Sequence, residues 1–173
     1  MDAFWNGIIR QQFGASIDMM ENAIRACPAA VWCDPTRKPE WADNDIVGFW
    51  YLVYHTLFYL DFNLSDSMED FGPPAPFNLD EFDPAGLLPD QPYSKDVLLR
   101  YLDHCRRKCY QAIGSLTDEK ARQPSPIRPE QKLTVAERLL CNMRHVQHHA
   151  AQLNLVLRQK TDSAPGWVTS SRR

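Results

Sequence analysis

The stretch from Asp45 to Leu64 constrains the fold more than any other part of the chain, because it is apolar on nearly every face. Trp50, Tyr51, Tyr54, Phe58, Tyr59 and Phe62 fall within it at helical spacing, and its most apolar run, Ile46 to Leu60, is shorter than the roughly 20 residues that span a bilayer. The stretch therefore reads as a buried helix, with Asp43 or Asn44 as its cap. Such a helix needs cover on all sides. It is either central to a core or shares a face with a partner subunit, so a homodimer is an expectation from this segment.

The remaining segments offer that cover. From Ala3 to about Cys27, Phe4, Ile8, Ile9, Phe13, Ile17, Met20 and Ile24 form a helical stripe, with Asp2 as a cap. Pro28, Pro35 and Pro39 stop helix propagation before the apolar segment, and Ser65 to Tyr93, rich in Pro, Asp and Gly, makes a long crossover rather than a tight turn. Ser94 opens a third helix carrying Val97, Leu98, Tyr101, Leu102, Cys105, Cys109 and Ile113, which ends near Gly114. After a proline-broken loop over Gln123 to Pro129, Thr134 and Glu137 form a capping box for a fourth helix reaching about Lys160. With no alternating strand pattern, this predicts an all-α fold: one four-helix bundle over residues 1–160, followed by a mobile C-terminal tail, 161–173, in which Trp167 could dock.

Composition narrows the partners. A formal net charge of -3 supplies no basic field for phosphate backbones, which argues against nucleic acid and leaves small molecules or proteins. The start, Met-Asp-Ala-Phe-Trp-Asn, lacks the basic and apolar pattern of a signal peptide, and five cysteines without Cys-x-x-Cys spacing suit reduced thiols, so a cytoplasmic location is expected, with no membrane segment. Cys105 and Cys109, one turn apart, either pack as small hydrophobes or chelate together with His104.

The histidines carry the candidate chemistry. On the fourth helix the core stripe is Val135, Leu139, Met143, Val146, Ala150, Leu153 and Leu157. At the helical angle per residue, His145 and His149 share one flank of that stripe about 40° apart, whereas His148 points away, to solvent or to an outer shell. A His-x-x-x-His pair can aim two imidazole nitrogens at one ion, roughly 2.0–2.1 Å from each. A third ligand must come from another helix, and His55 sits inside the apolar one, where an unpaired imidazole would cost on the order of 1–3 kcal/mol. Otherwise His55 donates to a carbonyl or a tyrosine hydroxyl, and the pair lines a solvated flank. Gln152 either orients a ligand or is a surface amide, and His104 reads as structural.

The segment Met143-Arg-His-Val-Gln-His-His-Ala-Ala-Gln-Leu153 resembles the late-helix signature of the DinB/YfiT-like family, and Phe49-Trp-Tyr-Leu-Val-Tyr-His-Thr-Leu-Phe-Tyr-Leu-Asp61 resembles that family's second helix with its single histidine. Family members often have Arg-Gly where this chain has Ala150-Ala151. The resemblance covers most of Ala3 to Lys160. It implies a four-helix bundle in up-down-down-up order with the long crossover between helices two and three, often dimeric. It also implies a divalent ion, zinc or nickel, on His55, His145 and His149.

Some relatives are thiol transferases, in which a low-molecular-weight thiol such as glutathione, mycothiol or bacillithiol is presented as a thiolate to an electrophile. A nearby cation stabilises a thiolate, so this chemistry is physically sound, and a hydrolase using metal-activated water is the other enzymatic reading. The competing class is a non-catalytic dimeric helical protein with a structural metal or none. No general acid or base is placed: Asp61 lies two turns from His55, and Glu137 is a cap.

Overall fold

The computed structural model describes residues 3–34, 48–83, 89 and 91–172. The expected caps Asp2, Asp43 and Asn44 lie outside these residues. Six α-helices occur among them: α1 Ala3–Ala26, α2 Ala29–Trp32, α3 Phe49–Phe62, α4 Lys95–Gly114, α5 Asp118–Arg122 and α6 Val135–Thr161, with short 3-10 turns at Asp80–Phe82 and Pro129–Gln131. There is no strand among the described residues, only an isolated bridge between Pro124 and Thr134. The protein is all-α. No helix among these residues is long and apolar enough to cross a membrane.

Eleven of the fourteen residues of α3 are buried, including Trp50, Tyr54, Leu57, Phe58 and Leu60 at 0% exposure. The cover comes from the same chain. α4 and α6 both pack on α3, and α1 packs on α4 and α6, contributing Phe13, Ile17, Met20 and Ile24 to the common core. Of the two explanations for an all-round apolar helix, the central position accounts for it, and burial of each large side chain contributes roughly 1.5–3 kcal/mol. Only Leu52, His55 and Tyr59 on α3 are half-buried. They share one face at helical spacing, and that face carries the site described below.

Local chemistry sets the ends. The Ser94 hydroxyl accepts from the Val97 amide at α4, and the Thr134–Glu137 capping box opens α6. The short α5 begins at a Thr117 cap that accepts from the Lys120 amide. At the other end of α3 the last-turn carbonyls, which lack donors further along the helix, are met from both neighbours: Asn142 Nδ2 of α6 donates to Leu60 O at 3.1 Å, and Lys108 Nζ of α4 donates to Asp61 O at 2.9 Å. These bonds fix the axial register of α3 against α6 and α4.

The crossover is held on the aromatic face of α3. Phe82 meets the rings of Phe58 and Phe62 at 4.9 and 4.8 Å, and Tyr59 donates to Glu81 O at 3.3 Å. The segment after α6, for which composition suggests mobility, lies along α1: the Ser171 amide donates to Gln11 O, Gln12 Nε2 donates to Thr169 O, and Ser171 is 5% exposed. Gly14 permits this approach. A Cβ there would stand 2.7 Å from Ser171 Cβ and 2.6 Å from the Tyr110 hydroxyl. Trp167 is 70% exposed.

Candidate metal centre

The half-buried stripe of α3 faces the flank of α6 that carries His145 and His149. One ring nitrogen from each of His55, His145 and His149 lies within 4.8 Å of the others, and the ring centroids are 4.5 to 5.5 Å apart. His145 Nε2 and His149 Nε2 are 3.0 Å apart. A four-coordinate ion with bonds of about 2.1 Å needs nitrogens about 3.4 Å apart, so modest ring rotations would let all three reach one ion.

The distal nitrogens fix which atoms face inward. His55 Nδ1 is 2.9 Å from Glu81 Oε2, and His149 Nδ1 is 2.7 Å from Gln152 Oε1. Each of these oxygens accepts, so each Nδ1 carries the proton and the corresponding Nε2 keeps its lone pair for the shared space. His145 Nδ1 is buried without a hydrogen-bond partner. Burial, then the neighbouring His149 and His55, push the His145 pKa down from the usual 6.5 to about 3. Burial also lowers His149, to about 4, against the raising effect of Gln152. Both rings are thus neutral near pH 7, the state in which imidazole binds a metal. Three neutral donors converging in a half-buried space, two of them oriented by acceptors, fit a divalent ion.

Two residues at this site were not anticipated from sequence. Glu81 comes from the crossover, its side chain is 5% exposed, and its Oε1 has no hydrogen-bond partner. Arg128, in a left-handed conformation at φ 51°, places its guanidinium over the rings of Tyr59 and Phe62 at 5.1 and 5.7 Å, and the Tyr59 ring is 6.0 Å from that of His145. Neither has a local sequence signal. Glu81 is one of three acids between Asp80 and Asp83, and packing alone selects it.

The other candidates fall elsewhere. His148 is exposed, with its ring 5.0 Å from that of His149. His104 Nε2 stands 3.5 Å from Asp61 Oδ1, in a cluster where Tyr101 donates to Asp61 Oδ2 and Lys108 Nζ lies 2.6 Å from Oδ1. Cys105 is fully buried with its thiol directed at Leu57 O, and burial raises the pKa of Cys105 and takes Cys109 up to about 12. These two thiols are packing groups. Glu137 is the helix cap, its carboxylate held below the usual range by the Thr134 amide.

The sequence profile of the DinB superfamily matches residues 12–153, which takes in the later part of α1, all of α3 and α4, and the histidine-bearing part of α6. The chain belongs to the DinB superfamily. No curated protein and no solved structure matches it. The matched segment contains His55, His145 and His149 together with both groups that hold their distal nitrogens, Glu81 and Gln152.

Proposed function

We propose that this DinB-superfamily protein is a metal-dependent enzyme in which His55, His145 and His149 hold one zinc or nickel ion with a coordination position left open. The observation that carries the reading is the convergence of three histidine nitrogens within 4.8 Å, with no fourth His, Cys, Asp or Glu in that group among the described residues. A three-histidine set leaves room for an exchangeable ligand, whereas structural sites are closed by a fourth protein donor. When bound, the ion supplies Lewis-acid stabilisation of an anionic nucleophile, a thiolate or a hydroxide.

The protein groups have separable tasks in this reading. Glu81 holds His55 in the tautomer that presents Nε2 and places a negative charge behind it, while Gln152 does the same for His149 without charge. Tyr59 and the crossover turn wall the site from α3, and Arg128 puts a positive charge at its edge, where it favours an anionic thiol cofactor or electrophile. Between the enzymatic readings, thiol transfer is favoured by that cation. His148 remains a candidate outer residue on the exposed side.

The finer architecture belongs to the same proposal: an up-down-down-up bundle, in a cytoplasmic homodimer. The pairing of α1 and α3 each with α4 and α6 supports the bundle, and five unpaired cysteines support a reducing compartment. α3 is covered by its own chain, so a dimer would form on another surface.

Cobalt-substituted protein titrated with glutathione-type thiols tests the function. A saturable change in the visible cobalt bands, with a new charge-transfer band from sulfur, is expected. A cobalt spectrum indifferent to every thiol, anion and substrate analogue would reject an open site and leave a structural metal.

A further inference from the structure

Arg138, on the first turns of α6, is 5% exposed, yet among the described residues no carboxylate lies within ion-pair distance of it. Its guanidinium makes one hydrogen bond among the described residues, from Nη2 to the Ile127 carbonyl at 3.1 Å, and its Nε is buried without a partner. Burial is the largest influence on this group and disfavours its charge; Cys141, one turn on, and Glu130 act on it favourably, Arg128 adds repulsion, and no carboxylate among the described residues touches it. A histidine or lysine in such a position could shed its proton. An arginine cannot, so its charge calls for a counter-charge from elsewhere.

The wall containing Arg138 borders a cavity of about 80 Å³ between the end of α3, the end of α4, α5 and the start of α6. That is several times the space a single water requires. Asn63, in the same wall, has a buried Oδ1 without a donor. Lys120 and Asp66, also in the lining, stand 3.6 Å apart and offset each other, which leaves Arg138 as the net charge of the cavity.

We propose that this cavity is a binding site for a small oxyanion, a phosphate or a carboxylate group, which pairs with the guanidinium of Arg138. The planar fork of an arginine matches such groups with two parallel hydrogen bonds. Asn63 Oδ1 offers an acceptor for a hydroxyl on the same ligand, a feature present in hydrogen phosphate and absent from sulfate and acetate. The site is separate from the histidines: Arg138 precedes His145 by seven residues, about 10 Å along the helix.

The test is thermal unfolding of the full chain with increasing inorganic phosphate, sulfate or acetate at constant ionic strength set by chloride. At ten times its dissociation constant, a ligand of the folded state raises the melting temperature by roughly 3–6 °C for a chain of this size. The expected result is a saturable rise with at least one oxyanion, weakened about tenfold in Arg138→Lys and lost in Arg138→Met. A larger effect of phosphate than of sulfate assigns a phosphate-type ligand, and a larger effect of acetate assigns a carboxylate. His145→Ala should keep the response, which separates this site from the metal centre. No saturable rise in the native protein, or a rise that survives in Arg138→Met, overturns the proposal. If Arg138→Met does not fold, Arg138→Lys carries the comparison.

Discussion

Replacing Glu81 isolates the contribution of the crossover to the metal centre. Its carboxylate accepts from His55 Nδ1 at 2.9 Å and is nearly buried, so the contact is charge-assisted and little screened. Glutamine keeps the volume and an accepting oxygen but removes the charge. Outer groups of this kind alter metal affinity by about 10–100-fold, equivalent to about 1.4–2.8 kcal/mol. Glu81→Gln is expected near the lower limit, because His55 stays oriented. Glu81→Ala is expected near the upper limit, because the ring is freed to rotate and its inward lone pair is no longer enforced. Competition against a chromophoric chelator near pH 7 measures both constants, with far-UV circular dichroism as the check on folding. Unchanged zinc and nickel affinity in folded Glu81→Ala would refute the claim that Glu81 positions His55.

The metal-free protein should lose stability on acidification. The unfolded chain takes up protons on its histidines near pH 6.5, while folded His149 and His145 resist until about 4 and 3; stability is therefore flat above about pH 6.5 and falls below it, and urea midpoints that do not move between pH 7 and 4.5 would contradict this. Phe58→Ala, at a fully buried ring packed on Tyr54, Phe71 and Phe82, should cost about 3–5 kcal/mol in urea unfolding. A thiol reagent should modify Cys33 and Cys141 rapidly in the native protein and Cys27, Cys105 and Cys109 only after denaturation. Gly14→Ala should displace the segment around Ser171, read as faster trimming by carboxypeptidase; an unchanged rate would mean that the close approach at Gly14 does not hold that segment.

The parts of this protein that were legible in its sequence are those governed by neighbours a few residues apart. Helical spacing located α1, α4 and α6, and the chemistry of Ser94, Thr134 and Glu137 located two of their starts. The wheel of α6 put His145 and His149 on one flank and turned His148 outward, as observed. Long-range contacts were not legible. The connector Ser65 to Tyr93 reads as a loop from its prolines, and nothing in its composition indicates that Phe82 would lock onto Phe58 and Phe62 and deliver Glu81 to His55. Similarly, α3 could have been apolar for a partner subunit, and only the packing of α4 and α6 assigns it to the interior. The brief helix α5 escaped because five residues are too few to show a period, although its Thr117 cap was a usable signal. Arg138 escaped because a basic residue on an amphipathic helix reads as solvated until its surroundings are known.

Metal content tests the central claim most directly. Protein purified without chelators, and after saturation with zinc or nickel and removal of excess ion, should carry one equivalent per chain by elemental analysis. Folded His55→Ala and His145→Ala variants should retain a small fraction of it. No bound ion under any loading, or full stoichiometry in both variants, would contradict the assignment of His55, His145 and His149 as the ligands.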